Sequence, residues 1–449
     1  MKRFFLFIVD IIILYLSLYL TLAIRYGVNF DKEIDAHLVP FSILFIFWVL
    51  VFFISNLYDF SYLKNETIFY SRFFQTIIVS GTLSIIFFYL VPFLTITPKR
   101  NLLIFIAIFS ILDFVVRSFY NRLISLQTFK NNTIIVGLDQ QSIELAKFIK
   151  NNPQLGFYLQ CIVNIGDKKI TSKYDFMIIE EKEMEKIISK KKVNTIILNP
   201  EAYNTNSLIE LLYNSLDKKI NFYNLSDFYE KNVGIIPLGA INQAWFLNNL
   251  SEGDKKPFEL LKKTADIILS IIGSLVMAIF LPLIALAIKL DSAGPIFYAQ
   301  KRIGQYGKTF KMYKFRTMRK DAESISGAIW ASKNDSRITK IGKLLRKTRF
   351  DEIPQLYNIL RGDMSFVGPR AERPEFHDEL KKAIPFYQER YLIKPGLTGW
   401  AQINHYGASV DETAKKLQYD LFYIKNRSIA LDISIVLKTL NIVLRFVGI

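Results

Sequence analysis

Residues 267–288 of this 449-residue chain read IILSIIGSLVMAIFLPLIALAI, a run that contains no charged side chain. An apolar run of this length can cross the hydrocarbon core of a bilayer as a helix. Pro282 lies inside it, and a proline within a helix removes a backbone hydrogen bond and favours a bend. Two interpretations are therefore open: a helix that crosses the membrane, or a re-entrant helix over about residues 264–290 that enters and leaves through the same face.

The charges on either side of this run favour the re-entrant interpretation. Lys262 and Lys263 precede it, and Lys and Arg are densest after it, over residues 301–361. Segments rich in Lys and Arg stay on the cytoplasmic side of a membrane. A crossing helix would carry the basic segment to the outside, so we predict that Pro282 bends the helix and that both of its ends are cytoplasmic.

The first third of the chain contains four further apolar segments, at residues 4–24, 40–57, 73–94 and 102–116. Each is close to the length that spans a bilayer, so residues 1–125 are predicted to form a membrane α-helical bundle. Basic residues at the start and in alternate connections place both ends of the bundle in the cytoplasm, namely Lys2, Arg3, Lys64, Arg72, Arg117, Arg122 and Lys130. Lys99 and Arg100 oppose this orientation. The bundle carries no evident chemistry and is a candidate surface for association into a homo-oligomer.

Residues 126–230 have the alternating pattern of an α/β domain. A short β-branched strand at residues 134–136 is followed by a turn at Gly137 and an amphipathic helix at residues 142–150. Further strands are predicted at residues 160–163, 176–179 and 195–198. Strands that alternate with helices indicate a parallel sheet, here of the Rossmann-like type.

The turn after the first of these strands is a poor phosphate-binding loop. It keeps only Gly137 of the G-x-G-x-x-G pattern, and Asp139 would repel a pyrophosphate group. We therefore predict a degenerate module that does not bind a dinucleotide. Residues 231–256 contain Asn, Ser, Gly and Lys and are interpreted as a connector to a third domain over residues 257–449.

The formal net charge is +17, from 57 Lys and Arg against 40 Asp and Glu, so the surface attracts anions. For a protein fixed in a membrane, the fitting partners are anionic lipid headgroups and phosphorylated substrates, with no role for nucleic acid. Cys161 is the sole cysteine, which excludes an intramolecular disulfide and fits a reducing cytoplasm. The spacing of the three histidines argues against a zinc site, namely His37, His377 and His405.

An acidic pair, Asp351-Glu352, follows the basic segment at residues 334–349. Pro354 is favoured in the first turn of a helix, so the pair is predicted at the N-terminus of a helix that continues through Leu360. The helix dipole and the neighbouring cations should keep Asp351 ionised. An ionised carboxylate can attack phosphorus, and Glu352 can hold Mg²⁺ together with phosphate oxygens and water. The alternative is that both acids only cap the helix.

Two further segments supply arginines to the same region. Residues 314–318 (KFRTM) are predicted to form a strand that carries Arg316, and residues 361–370 end a helix in a loop that presents Arg370. Guanidinium groups bind phosphate oxygens in pairs, so both are candidate substrate-binding residues. The predicted fold class is thus a membrane α-helical bundle, a Rossmann-like α/β domain, and a mixed, mainly helical catalytic domain with a re-entrant membrane helix.

From about Pro257 to its C-terminus the chain resembles the bacterial sugar transferase family, the monotopic polyprenyl-phosphate phosphoglycosyl transferases. The motifs that carry the resemblance are residues 294–297 (GPIF), 314–318 (KFRTM), 351–356 (DEIPQL), 362–370 (GDMSFVGPR) and 394–402 (KPGLTGWAQ). Four preceding spans and a degenerate nucleotide-fold module resemble the long-chain branch, whose members begin capsule, exopolysaccharide or O-antigen repeat units. Leu281 departs from the family, in which some members have Ser before the proline.

The resemblance implies a ping-pong reaction at the cytoplasmic face of the bacterial inner membrane. Asp351 would take the sugar phosphate from a UDP-sugar, UMP would leave, and undecaprenyl (polyprenyl) phosphate would attack the intermediate. It further implies that Glu352 supports Mg²⁺ and that Arg346 and Arg370 address phosphate groups or the nucleotide.

Two other classes of protein remain as alternatives. Membrane-tethered nucleotide-sugar dehydratases also place a Rossmann domain after four spans, but they need a Tyr-x-x-x-Lys pair, and the chain contains none. A non-enzymatic membrane scaffold would leave the polar residues around Asp351 without a role.

Overall fold

The structure is a computed structural model that describes residues 2–27, 30–59, 63–91, 99–126, 130–165, 174–250, 255–319, 322, 335–405 and 409–444. The chain divides into two compact units, Met1–Leu225 and Ser226–Ile449. Among the described residues, five helices are long and apolar enough to cross a membrane, four in the first unit and one in the second.

Four long helices open the first unit: α1 (Lys2–Tyr26), α2 (Phe30–Ile54), α3 (Thr67–Leu90) and α4 (Lys99–Ser125). Their inner faces meet in a cluster rich in aromatic side chains, which includes Phe41 and Trp48. Their outer faces expose large apolar side chains, as expected for helices surrounded by lipid. The predicted apolar helices are present, although α2 begins well before residue 40 and α4 continues past residue 116. Residues 92–94 of the third predicted span lie outside the described residues.

An ion cluster lies inside this bundle, between α1 and α4. Arg117 donates from Nε to the carboxylate of Asp113 at 2.9 Å and from Nη1 to the carbonyl of Leu57 at 3.0 Å, and its Nη2 pairs with Asp10. All three charged side chains are buried. A charge at membrane depth needs such partners, because lipid offers no hydrogen bonds. Arg117 therefore stabilises the packing of the bundle. It lies within α4 and not in a connection between helices, so it is withdrawn from the charges used to predict the orientation of the bundle.

The first unit also contains an α/β domain, with β1 (Asn131–Val136), α5 (Gln140–Asn151), β2 (Phe157–Asn164), β3 (Ile178–Glu180), α6 (Met184–Lys190), β4 (Thr195–Leu198), α7 (Asn206–Tyr213) and β5 (Asn221–Asn224). The five strands are parallel and lie in the order β3-β2-β1-β4-β5. The predicted parallel sheet is confirmed. The sequence pattern missed β5 because this strand is short and has no β-branched residue.

The first β-α turn of this sheet is filled by protein groups. Asp139 caps α5 by accepting a hydrogen bond from Ser142 N at 2.7 Å. Gly137 has a φ of +104°, and a Cβ added there would lie 2.1 Å from the side chain of Asn199. Asp139 and Asn199 thus occupy the helix N-terminus and the space beside Gly137, where a pyrophosphate would approach the backbone. This arrangement supports the interpretation of the turn as degenerate.

The second unit contains, in chain order, α8 (Leu225–Val233), α9 (Gln243–Asn249), α10 (Lys256–Asp291), β6 (Phe297–Ile303), β7 (Thr309–Phe315), α11 (Lys340–Thr348), α12 (Gln355–Arg361), β8 (Ser365–Val367), α13 (Pro374–Ala383), β9 (Gly396–Thr398), α14 (Trp400–Asn404), α15 (Val410–Asn426) and α16 (Ile429–Leu444). The strands β6 and β7 form an antiparallel hairpin, and β8 pairs with β9 in parallel. The unit is mainly helical, as predicted.

The described part of the predicted connector, residues 231–250, belongs to the core of this unit. Ile236 is fully buried, and its N–H donates to Gln418 O at 3.1 Å. The indole of Trp400 donates to Gly234 O at 2.7 Å. These residues thus pack on the second unit, and their interpretation as a connector between domains stays a prediction. Their contacts are with residues far along the chain, which the local composition does not reveal.

The long apolar run lies in α10, which continues through Pro282 without interruption. One face of this helix packs on the rest of the unit. Near the start of the helix, Asp266 accepts a hydrogen bond from Phe366 N at 3.1 Å. Near its end, Ile288 packs against Phe315 in a buried cluster. The bend at Pro282 stays a prediction.

The opposite face of α10 is apolar and exposed. Its exposed large side chains include Leu269, Ile272, Leu275, Val276, Ile279, Phe280, Leu283 and Leu286. A contiguous apolar surface of this kind marks a contact with a membrane or a partner. The helix therefore combines one face bound to the folded unit with another suited to lipid.

We expect Gly342→Ala to destabilise the protein, although Gly342 lies inside α11, where alanine has the higher helix propensity by about 1 kcal/mol. A Cβ at this position would lie 2.1 Å from the carbonyl oxygen of Thr317. Overpacking against backbone should cost roughly 1–3 kcal/mol, seen as a lower midpoint of thermal unfolding in detergent. Lys343→Ala, at an exposed position of the same helix, is the control and should leave the midpoint unchanged. An unchanged or higher midpoint for Gly342→Ala would contradict this close packing.

Candidate active site

The acidic pair Asp351-Glu352 lies in a tight turn between α11 and α12. Arg349 follows α11 with a φ of +58°, a left-handed conformation that ends the helix. A single 3-10 turn, Phe350–Glu352, comes next, and Pro354 immediately precedes α12. The pair therefore stands at the entry to a helix, as the position of the proline predicts.

Glu352 is held by three cations. Its Oε1 accepts hydrogen bonds from Lys314 Nζ at 2.9 Å and from Arg370 Nη2 at 3.0 Å. Its Oε2 lies 3.6 Å from Arg349 Nη1. Burial alone would raise the pKa of Glu352, but these cations outweigh it and hold the pKa well below its ordinary value. Glu352 is therefore an ionised carboxylate around which the cations are arranged.

Asp351 differs from its neighbour in both bonding and protonation. Its side chain is buried, yet its carboxylate accepts no hydrogen bond from any of the described residues. Burial and the charge of Glu352 raise the pKa of Asp351, against the opposite effects of Lys314, Arg346 and Arg370. The cations lower the pKa of Asp351, as expected, but burial outweighs them because the turn removes this group from water. That Asp351 stays ionised remains a prediction.

Two of the three arginines selected from the sequence lie near the acidic pair. Arg370 is on the loop after β8 and contacts Glu352 directly. Arg346 is on α11, donates from Nε to Thr317 Oγ1 at 2.8 Å, and interacts electrostatically with Asp351. Burial lowers the pKa of Arg346, although the acidic groups around it act in the opposite direction. Both guanidinium groups are therefore placed to meet a ligand that approaches Asp351.

The structure adds Lys314 and Arg349 to this site. Neither was selected individually from the sequence, although Lys314 lies in the KFRTM motif and Arg349 almost directly precedes the acidic pair. The cations that surround the two carboxylates are thus Lys314, Arg346, Arg349 and Arg370. This excess of positive charge suits the phosphate groups of a substrate.

Arg316 does not join this group. It directly follows β7, and its guanidinium donates to the carbonyls of Ile288 at 3.3 Å, Ser292 at 2.6 Å and Ala293 at 2.8 Å. These carbonyls belong to the last turn of α10 and to the two residues after Asp291, where helix geometry leaves hydrogen-bonding capacity unused, so Arg316 caps the C-terminal end of α10. A Cβ at Gly294 would lie 1.9 Å from Arg316 Nη1, so the glycine leaves the space for this contact. The selection of Arg316 as a substrate-binding residue stays a prediction that these contacts do not support.

The residues at the site fit a metal ion only together with a substrate. Among the described residues, no group of three or more His, Cys, Asp or Glu side chains is placed to hold one. Mg²⁺ needs only one or two carboxylates when phosphate oxygens and water complete its shell. Asp351 has lone pairs available for this role, whereas Glu352 Oε1 already binds Lys314 and Arg370. The donors therefore suit Mg²⁺ that is shared with a phosphorylated ligand.

The arrangement is suited to the transfer of phosphoryl groups. The carboxylate of Asp351, without a hydrogen bond in the described part of the chain, lies beside that of Glu352, which is ionised and fixed. A free carboxylate can displace a leaving group from phosphorus, while fixed cations stabilise the negative charge on the phosphate oxygens.

Known proteins match the part of the chain that contains these residues. The bacterial sugar transferase family matches residues 258–446. The UDP-glucose:undecaprenyl-phosphate glucose-1-phosphate transferase of Xanthomonas campestris pv. campestris is 30% identical over 349 residues, which cover 72% of this chain and 69% of that protein.

Other relatives match a shorter part of the chain. The UDP-N-acetylgalactosamine-undecaprenyl-phosphate N-acetylgalactosaminephosphotransferase of Aeromonas hydrophila is 42% identical over 195 residues, 42% of this chain and 45% of that protein. The exopolysaccharide production protein PSS of Rhizobium leguminosarum bv. phaseoli is 43% identical over 189 residues, 40% of this chain and 93% of that protein. The chain thus spans less than half of the Aeromonas relative and about two thirds of the Xanthomonas relative. Because the family match includes the acidic pair and its cations, and the Xanthomonas relative shares most of the chain, this protein belongs to the bacterial sugar transferase family.

Proposed function

We propose that this protein transfers a sugar-1-phosphate from a UDP-sugar to undecaprenyl phosphate, a polyprenyl phosphate lipid, and releases UMP. The observation that carries the proposal is the carboxylate of Asp351, which accepts no hydrogen bond from any of the described residues and is surrounded by cations. The names of the Xanthomonas and Aeromonas relatives, which include a UDP-sugar and undecaprenyl phosphate, support it. The name of the Rhizobium relative supports a role in exopolysaccharide production. We place the reaction at the first membrane step of exopolysaccharide, capsule or O-antigen synthesis.

The proposed reaction consists of two displacements at one phosphorus atom. First, a carboxylate oxygen of Asp351 attacks the sugar-bearing phosphorus of the donor, and the bond from this phosphorus to the bridging oxygen breaks. UMP leaves with the bridging oxygen, and the sugar phosphate remains on Asp351 as an acyl phosphate. Second, a phosphate oxygen of the lipid attacks the same phosphorus, the acyl phosphate bond breaks, and the carboxylate is regenerated.

The other residues of the site bind and orient the donor. Arg346 and Arg370 bind its phosphate groups, and Lys314 adds positive charge beside them. Glu352 fixes Lys314 and Arg370 in place through its Oε1. With the donor's phosphates, Glu352 and Asp351 would hold Mg²⁺, which supplies charge stabilisation for the departing UMP.

We also propose that α10 is re-entrant and that the catalytic unit lies on the cytoplasmic face of the bacterial inner membrane. Asp266 and Ile288 are near opposite ends of the apolar run, yet both pack on the same folded unit. A helix rises about 1.5 Å per residue, so this distance matches the roughly 30 Å of the hydrocarbon core. A straight crossing would pull one of these contacts to the far side. The basic residues 301–361 favour the cytoplasmic side.

The α/β domain of the first unit is assigned to the Rossmann-like type. Its strand order, β3-β2-β1-β4-β5, supports this assignment, because doubly wound nucleotide-binding sheets share it. The filled turn at Gly137 favours a degenerate module over a nucleotide-sugar dehydratase.

Asp351→Asn should abolish UMP release, because the amide cannot form the acyl phosphate. The full-length protein in nanodiscs is given a panel of UDP-sugars without lipid acceptor, and UMP is measured. The native protein should release up to one UMP per molecule as a burst, and added undecaprenyl phosphate should start turnover. The burst rate should fall as the pH drops through the raised pKa of Asp351, because only the ionised carboxylate attacks.

Glu352→Gln is the matched control for this experiment, because it changes the neighbouring acid and leaves the nucleophile. It removes the charge that fixes Lys314 and Arg370, so we expect a slower burst that higher Mg²⁺ partly restores. A burst from Asp351→Asn, or UMP release from the native protein only with both substrates present, would rule out the two-step mechanism. No UMP from any UDP-sugar, with or without lipid, would favour a non-enzymatic scaffold.

Arg316→Gln and Arg370→Gln should impair the protein in different ways. Arg316→Gln removes the cap of α10, so the unfolding midpoint should fall while the KM for the UDP-sugar changes little. Arg370→Gln removes a cation from the site, so the KM should rise about tenfold or more, as for a lost charge-assisted hydrogen bond. A comparable rise in KM for Arg316→Gln would establish Arg316 as a substrate-binding residue after all.

Cysteine labelling tests the re-entrant arrangement of α10. Lys263→Cys and Ala293→Cys place exposed thiols near its two ends, in a Cys161→Ala background. We expect a membrane-impermeant maleimide to label both positions in inside-out vesicles and neither in intact spheroplasts. Labelling of the two positions from opposite sides would show that α10 crosses the membrane.

A further inference from the structure

Arg370 is held through its backbone as well as through its side chain. Its guanidinium contacts Glu352, while its carbonyl oxygen accepts a hydrogen bond from Arg390 Nη2 at 3.1 Å. The same Nη2 donates to Asp420 Oδ2 at 2.9 Å, and Arg390 Nη1 donates to Tyr387 OH at 2.8 Å. Arg390 and Tyr387 both lie in the 3-10 helix Tyr387–Leu392 before β9, so the guanidinium of Arg390 joins this helix to the loop after β8 and to α15.

The residues that follow Arg370 are fixed in the same way. Arg302 Nη1 donates to Ala371 O at 3.0 Å, and Ile303 N donates to Glu372 O at 2.9 Å. Three successive carbonyls of this loop thus have donors from other elements. The loop lies outside helices and strands, so these contacts determine the path of its backbone. They also determine the position from which the side chain of Arg370 extends.

Stability alone explains the pair of Asp420 and Arg390 poorly. Their side chains are 2% and 5% exposed. Taking two charges out of water costs free energy that their mutual attraction often only offsets. A buried pair of this kind is better explained as a means of fixing one geometry, and the group that it fixes here is the carbonyl of Arg370.

We propose that Asp420 and Arg390 are positioning residues for the transfer reaction. Asp420 orients Arg390, and Arg390 holds the backbone of Arg370 so that the Arg370 guanidinium meets the diphosphate of the donor. Arg370 is thereby fixed between two carboxylates, by Glu352 directly and by Asp420 through Arg390. This inference rests on the proposed function, since it names residues that act on the donor-binding cation of that site.

A double-mutant cycle on the affinity for UDP tests this role, because the diphosphate of UDP is common to all UDP-sugars. The full-length protein in nanodiscs carries Asp351→Asn to prevent chemistry, and the Kd is measured by calorimetry with Mg²⁺. We expect Asp420→Asn to weaken UDP binding about tenfold, the usual effect of losing one charge-assisted hydrogen bond. In protein that already carries Arg370→Lys, Asp420→Asn should weaken UDP binding by less than about twofold. Asp420 acts on UDP only through Arg370, so the two substitutions are not additive.

Conservative variants separate the loss of charge from the loss of fold. Asp420→Glu keeps the charge and should retain most of the affinity that Asp420→Asn loses. If Asp420→Asn does not fold, Arg390→Lys takes its place in the cycle, because a single ammonium group cannot bridge Asp420 and the carbonyl of Arg370. The same dependence on Arg370 is expected for either variant.

Asp432→Asn is the matched control, because Asp432 is a largely buried acid of the same unit whose partners are Lys262 and Tyr423. Its effect on the Kd for UDP should be the same factor with and without Arg370→Lys. Equal losses from Asp420→Asn in both backgrounds, or no loss in either, would overturn the positioning role. If neither the Asp351→Asn parent nor the native protein binds UDP, the proposed function fails, and the two failures are thus told apart. If only the native protein binds UDP, the cycle is run in the native background.

Discussion

A single oxygen atom, Oε1 of Glu352, is the point on which the site depends. It accepts hydrogen bonds from Lys314 at 2.9 Å and from Arg370 at 3.0 Å, and so draws β7 and the loop after β8 to the turn before α12. Because Glu352 takes these cations, the carboxylate of Asp351 accepts no hydrogen bond within the ranges that the structure describes. Two adjacent acids therefore acquire opposite properties: the pKa of one is lowered by its partners, and the pKa of the other is raised by burial.

The same turn connects the site to the apolar helix α10. Leu356, in the first turn of α12, lies so close to Gly273 that a Cβ there would be 3.0 Å from it. At the far end of α10, Arg316 binds the carbonyls of Ile288, in the last turn of the helix, and of Ser292 and Ala293, just after it, and so ties this end to β7. The strand that supplies Lys314 thus also anchors the helix. A site built against such a helix suits a reaction whose acceptor is a phosphate on a membrane lipid.

The features that depend on local sequence were predictable, and those that depend on distant contacts were not. A proline after two acids indicated the entry to α12, and short motifs indicated the segments that carry Lys314 and Arg370. The motif did not reveal that Arg316 is bound by three carbonyls at and just after the end of α10, which come from another part of the chain. The packing of residues 231–250 and the burial that raises the pKa of Asp351 likewise arise only when the whole unit folds.

The central claim is that Asp351 becomes covalently bonded to the sugar phosphate. Mass spectrometry of peptides tests it most directly, with protein that has been treated with a UDP-sugar in the absence of lipid acceptor. We expect one peptide to gain the mass of the sugar phosphate, fragmentation to locate this mass on Asp351, and undecaprenyl phosphate to remove it. A modification at any other residue, or an unmodified Asp351 in protein that has released UMP, would contradict the claim.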